Sequence, residues 1–441
     1  MPSAHSQLGL LQLIADNVHH EPCKAGPITE DDLYALQIFR GKITPMGIIG
    51  IRYAAADALI QLADAIFTAS PYRRGTTFNA VKDKLIENVI FKYAGEPHKV
   101  ATSDDLAQLI KSIEDWLKEQ IASCEFYIPC LISPWYGPSF SIGPIRFLHI
   151  RDFQVVSRND IGAMFDITFS PFLEMMQHFA GHWIATVNVE GCTKDRAQEI
   201  ANLAVDIALA GFQLCLPEDG ARHMARMTGR TMPVFGQAVS SVDGTLSTSI
   251  TNSEPGRLLG PTLLQNRILE ATVLLDSVGN RIGAYLSGNS HLTNLEMAWS
   301  DAAYWYHEGL AEPLDTIAVP KLETTVEILL RAENSRGSKA RMLKAIEAFY
   351  GKKAADLING QSGITVEKFA EGLVTDRSRI LHGTWSTLTH SLRASRPSLE
   401  TLVRELLALY SLGLDEYAVS MSPGDDVDNF LNFVGARPKV P

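Results

Sequence analysis

A helix predicted near the C-terminal end of the sequence places an arginine where an apolar side chain is expected. Over residues 366–382 the apolar positions recur three or four residues apart, and Arg377 occupies one of these positions. A charge on the face that packs against other helices is unfavourable unless it is paired or reaches solvent. Such local inconsistencies are expected at functional sites. A guanidinium can hold phosphoryl oxygens through two parallel hydrogen bonds, which makes Arg377 a candidate anion-binding residue.

The same helix carries two further polar candidates. Ser378 and His382 are four residues apart and share a face, and Gly383 is expected to end the helix after the histidine. Arg377 and His382 are separated by about 140° on an ideal helix, so their side chains do not stack directly. They can still converge in a cleft, above all if a second copy of the helix faces the first. Because an imidazole exchanges protons near neutral pH, the pair is a candidate for phosphodiester cleavage in a dimer.

Structural roles explain the same residues without any chemistry. His382 can stabilise a helix C-terminus, and Arg377 can form a structural ion pair with Asp376, Glu371 or Glu323. Glu323 belongs to another predicted helix, KLETTVEILL, and is also the candidate for a supporting carboxylate that reaches the site from a neighbouring helix. The residue pattern alone leaves the catalytic and the structural interpretation open.

The segment LEMMQHFAGH spaces Glu174, His178 and His182 four residues apart. On one continuous helix these side chains can present a carboxylate and two imidazoles to a metal ion. Gly181 and the strand-like run that follows are expected to end the helix before His182, which favours ordinary packing. A metal-dependent enzyme centred on these residues is an alternative, and the main prediction includes no metal and no cofactor.

An aromatic cluster lies upstream of the candidate helix. Its members are Trp299, Tyr304, Trp305 and Tyr306, with His307 beside them. We expect these side chains to belong to a hydrophobic core rather than to a platform on which nucleobases stack.

Length and composition predict several cores. The chain has 441 residues, of which 46% are hydrophobic, and single cores usually stop growing at about 250–300 residues. We predict an α+β multidomain protein that begins with a helical N-terminal section, residues 1–125. A mixed α/β middle section (126–285), a C-terminal all-α helical bundle (286–425) and a tail (426–441) follow.

Hydrophobic periodicity underlies this division. The N-terminal section shows a helical period in ITEDDLYALQIF, in the buried run 46–67, in VKDKLIENVIFKYAG and in DDLAQLIKSIEDWLKEQI, with Ser103 as the expected N-cap of the last. The middle section alternates with a period of two in IRFLHIRDFQVV, GAMFDITF, WIATVNVEG, PVFGQAVSSVDGTLSTSI and RILEATVLLD, around one long helix that begins at Thr193. The C-terminal section contains five helical segments with short connections, which is typical of an up-and-down bundle.

The distribution of charge restricts the partners. The whole chain carries a net charge of −11, which argues against general coating of nucleic acid. The stretch from Arg331 to Arg404, however, holds eight arginines and five lysines against seven acidic residues. This part can attract phosphate, although an ordinary solvated helical surface has the same composition.

The cysteines and the apolar runs indicate a cytoplasmic protein. The five cysteines form no close C-x-x-C pair and are expected to be reduced and buried; they are Cys23, Cys124, Cys130, Cys192 and Cys215. The first residues do not read as a secretory signal, and the most apolar run contains three charged residues, so we predict no membrane segment.

The segment DRSRILHG resembles the motif of HEPN domains, specifically the Apea-like group of prokaryotic proteins. The family's arginine, polar residue and histidine fall on Arg377, Ser378 and His382, although asparagine is commoner than serine at the second position. The preceding helices, with YWYHEGL, KLETTVEILL and MLKAIEAFYG, are similar as well, so the resemblance covers about residues 290–420. Further upstream, FSIGPIRFL is similar to segments that precede Apea-like domains.

The resemblance implies metal-independent RNA cleavage at the interface of a homodimer, in stress response or defence against phage. His382 would take the proton from a ribose 2′-hydroxyl, and Arg377 would hold the phosphoryl oxygens, so that a 2′,3′-cyclic phosphate forms. Ser378 would orient the pair or touch phosphate, Arg379 would bind the RNA backbone and Glu323 would support the site. Residues 1–285 would sense a regulatory or phage trigger that the sequence does not identify. The alternative is a HEPN-like dimer that binds RNA or a partner protein without chemistry.

Overall fold

The computed structural model describes most of the chain. The described residues are 4–22, 37–44, 47–94, 100–154, 164–179, 181–216, 219–227, 235–252, 254–257, 259–332, 335–358, 363–421 and 423–437. They combine helices with antiparallel strands and end in a helical region, so the predicted α+β class is confirmed at this level. Two compact units are formed, one by residues 1–124 with 189–199 and one by residues 125–188 with 200–441.

The first unit packs helices around one apolar core. Its helices are α1 (Ala4–Asp16), α2 (Ala56–Ala69), α3 (Phe78–Tyr93) and α4 (Ser103–Gln120). Their inward faces bury residues such as Leu11, Leu59, Leu62, Val81 and Ile113. The helices predicted from VKDKLIENVIFKYAG and DDLAQLIKSIEDWLKEQI are confirmed as α3 and α4. Thr102, rather than Ser103, is the N-cap of α4, because Thr102 and Asp105 form a reciprocal capping box.

The first unit also contains a sheet that the sequence analysis did not predict. The strands β1 (Val18–Pro22), β2 (Ile38–Thr44) and β3 (Gly47–Arg52) are antiparallel, in the order β1-β3-β2. The prediction of one helix over residues 46–67 is wrong in its first part, because a segment with two glycines and three isoleucines disfavours helix. Of the predicted helix ITEDDLYALQIF, residues 28–36 lie outside the described residues and the end lies in β2.

The second unit contains a five-stranded sheet and a separate hairpin. The sheet has the order β5-β6-β7-β4-β8, formed by β4 (Ala122–Leu131), β5 (Phe140–Ile142), β6 (Ile145–His149), β7 (Trp183–Cys192) and β8 (Ala225–Arg226). The hairpin joins β9 (Phe235–Val242) to β10 (Thr245–Asn252). Asp243 and Gly244 both have a positive φ in its turn, so the predicted hairpin is confirmed.

Two segments predicted as strands are helices. GAMFDITF overlaps α5 (Met164–His178), and RILEATVLLD overlaps α7 (Pro261–Glu270) and α8 (Thr272–Ser287). In α8 the buried aliphatic side chains are Leu275, Val278 and Ile282, a helical spacing that becomes visible only beyond the short apolar run. The long helix expected from Thr193 is confirmed as α6 (Lys194–Leu214).

All five helices predicted for the C-terminal region are present. They are α9 (Thr293–Ala311), α10 (Asp315–Leu329), α11 (Ser335–Tyr350), α12 (Val366–Leu381) and α13 (Arg396–Ala418). A further helix, α14 (Val427–Gly435), lies in the stretch that the sequence analysis assigns to the tail, and its Phe430 is fully buried. Helix α10 packs against α9, α12 and α13, which brings it beside the candidate helix α12. None of the helices in the described ranges is long and apolar enough to cross a membrane.

Candidate functional site

Helix α12 forms where the sequence predicts it and carries the candidate residues on its last turns. The Thr365 side chain accepts a hydrogen bond from the backbone N–H of Lys368 and caps the N-terminus. At the other end Gly383 adopts a φ of +69°, a left-handed conformation that glycine tolerates best. The buried line of the helix is formed by Val366, Ala370, Leu373, Val374 and Ile380.

The guanidinium of Arg377 is held by two carboxylates of α10. Its Nε lies 3.0 Å from Glu323 Oε2, and its Nη2 lies 2.8 Å from Glu327 Oε2. Nη1 donates a hydrogen bond of 3.2 Å to Glu327 Oε1, so Glu327 receives two parallel contacts. The Arg377 side chain keeps 21% of its surface exposed. The arginine therefore resolves the mismatch in the apolar line by pairing with carboxylates of the neighbouring helix, and its side chain remains partly exposed.

The other partners considered for Arg377 point elsewhere. Glu371 forms an ion pair of 3.1 Å with Lys339, and Asp376 accepts a hydrogen bond from Ser395. Of the three carboxylates proposed from the sequence, Glu323 is the one that contacts the arginine.

Glu323 is a fully buried carboxylate. Ser338, at the start of α11, donates a hydrogen bond of 3.1 Å to Glu323 Oε1, so three helices converge on this side chain. Burial, reinforced by the nearby charge of Glu327, raises the pKa of Glu323 to about 7, while Arg377 and the Ser338 hydroxyl act in the opposite direction. Glu323 contacts Arg377 from the buried interface between the helices, and its own side chain does not reach solvent.

His382 is exposed to solvent, in contrast to the buried Glu323. It is the C-cap residue of α12, its backbone N–H bonds to the carbonyl of Ser378, and its side chain is exposed. Within the described parts of the chain the imidazole forms no hydrogen bond or ion pair, and nothing joins it directly to Arg377. The ring is therefore accessible to a molecule in solution.

The loop after α12 adds aromatic residues that the sequence analysis did not select. The guanidinium of Arg379 lies 4.7 Å from the ring centre of Trp385, and the rings of Trp385 and His390 stack with centroids 3.9 Å apart. The backbone N–H of Trp385 also donates a hydrogen bond to the backbone carbonyl of Arg379. We call these three residues the Trp385 cluster. Planar cations and aromatic rings of this kind stack on nucleobases.

The predicted aromatic core is confirmed only in part. Trp299 and Tyr306 are fully or almost fully buried, and His307 is buried as well. Tyr304 and Trp305 instead line a cleft, which Glu327 also lines.

The arrangement of Glu174, His178 and His182 does not support a metal site. Helix α5 ends at His178. His182 lies four residues beyond that end, and its ring stacks with that of His149 at a centroid distance of 6.2 Å. Burial lowers the pKa of both histidines, that of His149 to about 4. Across the described residues no group of three or more histidine, cysteine or acidic side chains is arranged to hold a metal ion.

Comparison with known proteins adds no relative. The chain matches no protein-family model, no curated protein and no solved structure. The resemblance of α12 and its neighbours to HEPN domains consequently rests on the residues named above. The chemistry and geometry of Arg377, His382 and the Trp385 cluster must carry any functional argument.

Proposed function

We propose that the protein is a metal-independent endoribonuclease of HEPN type whose site lies at the C-terminal end of α12. The observation that carries the proposal is the contrast between two residues of one helix. Arg377 is fixed by two carboxylates, whereas His382, five residues later, presents a free imidazole to solvent. Cleavage of a phosphodiester requires both a fixed cation and an accessible proton acceptor, and a second copy of α12 would bring the two together.

The reaction uses the ribose of the substrate as nucleophile. His382 accepts the proton of the 2′-hydroxyl, the 2′-oxygen forms a bond to the adjacent phosphorus, and the bond from phosphorus to the 5′-oxygen breaks. The leaving oxygen takes up a proton from water, and His382 returns its proton to the solvent. The products carry a 2′,3′-cyclic phosphate and a 5′-hydroxyl. Arg377 stabilises the negative charge that grows on the phosphoryl oxygens.

The ion pairs of Arg377 are compatible with this role. A guanidinium has five N–H donors. One of them is used in the hydrogen bond to Glu327 Oε1 and another lies in the ion-pair contact with Glu327 Oε2, so donors remain for a phosphate. The carboxylates also restrict the rotamers of the long side chain, which lowers the entropy lost when substrate binds. Glu323 and Glu327 therefore act as positioning residues.

The remaining parts of the proposal follow the resemblance to HEPN domains. A second copy of the chain completes the site through the C-terminal helices, and the exposed side chains of Leu381 and Leu388 beside it offer apolar surface for that contact. Residues 1–285 regulate the nuclease, in stress response or defence against phage in the cytoplasm.

A second function, RNA binding without cleavage, is favoured by one observation. The charge of Arg377 is already balanced by Glu323 and Glu327, which weakens its attraction for phosphate. The Trp385 cluster, by contrast, offers a binding surface that needs no chemistry.

The two functions are separated by incubating the purified full-length chain with end-labelled single-stranded RNA in EDTA. Cleavage that disappears in Arg377→Lys and His382→Ala but persists in the control His178→Ala supports the nuclease, because His178 is an exposed histidine on α5. Saturable binding by an uncleaving wild type supports the second function. Cleavage that persists in both α12 variants refutes the assignment of the site.

A further inference from the structure

A cleft beside the candidate site has the properties of a ligand-binding site. It encloses about 690 Å³ between α6, α8, α9 and α10 of the second unit. Small-molecule sites usually occupy about 300–1,000 Å³ and combine apolar or aromatic walls with a few polar groups. This cleft is lined by apolar and aromatic side chains and by a few polar ones.

Aromatic side chains form one part of the lining. Tyr285 comes from α8, and Tyr304 and Trp305 come from adjacent positions of α9. The Trp305 side chain is 37% exposed, in contrast to Trp299, which lies two turns earlier on the same helix and is fully buried. A large aromatic ring that lines a cleft instead of the core is suited to stacking on a flat ring.

One polar group in the lining lacks a partner. Ser300 is 2% exposed, and its Oγ has no hydrogen-bond partner among the residues that the structure describes. Buried hydroxyls are normally hydrogen-bonded, because an unpaired one has lost its water without replacement. A polar atom of a ligand in the cleft can supply the missing bond.

Two side chains of opposite charge also line the cleft, next to the aromatic residues. Asp301 follows Ser300 and lies one helical turn before Trp305, and Arg331 follows the end of α10. The partly desolvated position of Asp301 raises its pKa, and Arg331 opposes that effect. Arg331 has a φ of +51°, the left-handed conformation with which helices commonly end, and the backbone N–H of Ala332 donates to the carbonyl of Glu327 across it.

We propose that this cleft binds a guanine-like nucleobase. The ring stacks on Trp305 and Tyr304, its adjacent ring N–H and amino N–H groups donate to the Asp301 carboxylate, and its carbonyl oxygen accepts from Ser300 Oγ. Arg331 at the rim suits the phosphate of a nucleotide. The base can belong to a free nucleotide or to an RNA strand, since the recognised edge is the same.

The proposal does not depend on cleavage at His382. The two sites are nevertheless adjacent, because Glu327 lines the cleft and its carboxylate also holds Arg377. An occupied cleft therefore lies against a residue that positions the proposed phosphate-binding arginine.

Calorimetric titration of the full-length protein with GMP, IMP and AMP tests the recognition. We expect saturable binding of GMP, weaker binding of IMP, which lacks the amino group, and weakest binding of AMP. Asp301→Asn should reduce GMP affinity at least tenfold. The control Asp276→Asn, which changes an exposed aspartate of α8 outside the cleft, should leave it unchanged.

Ser300→Ala separates ligand recognition from a structural role. Because the hydroxyl has no partner in the ligand-free protein, its removal should preserve or raise the melting temperature while GMP affinity falls. The source of the base is identified on the His382→Ala background with guanine-containing and guanine-free single-stranded RNA. Binding of GMP alone assigns a free nucleotide, and binding of RNA with guanine preference assigns a strand. The proposal is overturned if neither probe binds, or if Asp301→Asn and Asp276→Asn bind equally well.

Discussion

The Nε atom of Arg377 lies 3.0 Å from Oε2 of Glu323, a carboxylate whose side chain has no exposed surface. This ion pair links α12 to α10, and Glu327 of the same helix holds the other side of the guanidinium. Burial raises the pKa of Glu323 to about 7, so the charge of the pair changes near neutral pH. The relationship can be measured without knowledge of any substrate.

Glu323→Gln should change how stability depends on pH. The folded chain gives up the Glu323 proton near pH 7 and the unfolded chain near the ordinary value of 4.5. Between these values the folded state binds more protons, so this residue's contribution to stability declines as the pH rises. Relative to the variant, the wild type should lose about 3 kcal/mol across this window. Urea unfolding of both proteins at several pH values measures the difference in the free energy of unfolding. Glu296 also has a raised pKa, but its contribution is the same in both proteins and cancels in that difference. A difference that does not vary with pH would contradict the assignment.

Arg377→Ala should destabilise the second unit. The substitution leaves Glu323 and Glu327 without the cation that offsets their charges. Removing one partner of a buried ion pair costs about 3–5 kcal/mol. Because Arg377 is partly exposed, we expect a smaller loss, of about 2–3 kcal/mol. Arg336→Ala, which removes an exposed arginine of α11, should change stability by less than about 0.5 kcal/mol. Equal unfolding midpoints for the two variants would mean that the ion pairs contribute little.

Trp385→Ala should weaken binding of single-stranded RNA. The loss of one stacking surface is worth about 1–3 kcal/mol per base, or roughly 5- to 150-fold in affinity. Fluorescence anisotropy on the His382→Ala background measures binding without cleavage. Trp135→Ala is the control, because this tryptophan is 45% exposed and lies outside the Trp385 cluster. Equal affinities for the two variants would remove the cluster from the RNA surface.

Arg379→Ala tests the electrostatic part of the same surface. If Arg379 contacts one phosphate, its removal should lower affinity for all sequences alike and reduce the slope of log K against log salt by about 0.7 for a single strand. The measurement is a binding titration at several salt concentrations. An unchanged slope together with weaker binding would instead indicate that Arg379 acts by holding Trp385.

Local signals predicted much of α12. Thr365 as N-cap, the buried line through Ala370 and Leu373, and the end at Gly383 all depend on neighbouring residues, and each is present. The choice of Glu323 over Glu371 and Asp376 as partner of Arg377 depends on how α10 packs against α12, and the sequence could only name the candidates.

Other features had no usable local signal. The segments around 164–178 and 267–276 are short apolar runs, and their helical period appears only when the flanking residues are included. Trp385 and His390 lie in a loop with no repeating pattern, so their stacking depends on a backbone path that no periodicity encodes. The cleft at Trp305 could not be predicted for a similar reason. Closely spaced aromatic residues on a helix are usually part of a hydrophobic core, and the sequence does not show which of them line a pocket instead.

The central claim is that His382 moves a proton during RNA cleavage. The most direct test is cleavage of single-stranded RNA by the full-length protein in EDTA, with analysis of the product ends and of the melting temperature of each variant. We expect 2′,3′-cyclic phosphate ends, a loss of about 10²- to 10⁴-fold in rate for His382→Ala, an unchanged melting temperature because the side chain is exposed, and full activity for His178→Ala. Absence of cleavage by the wild type, or equal rates for the wild type and His382→Ala, would contradict the claim.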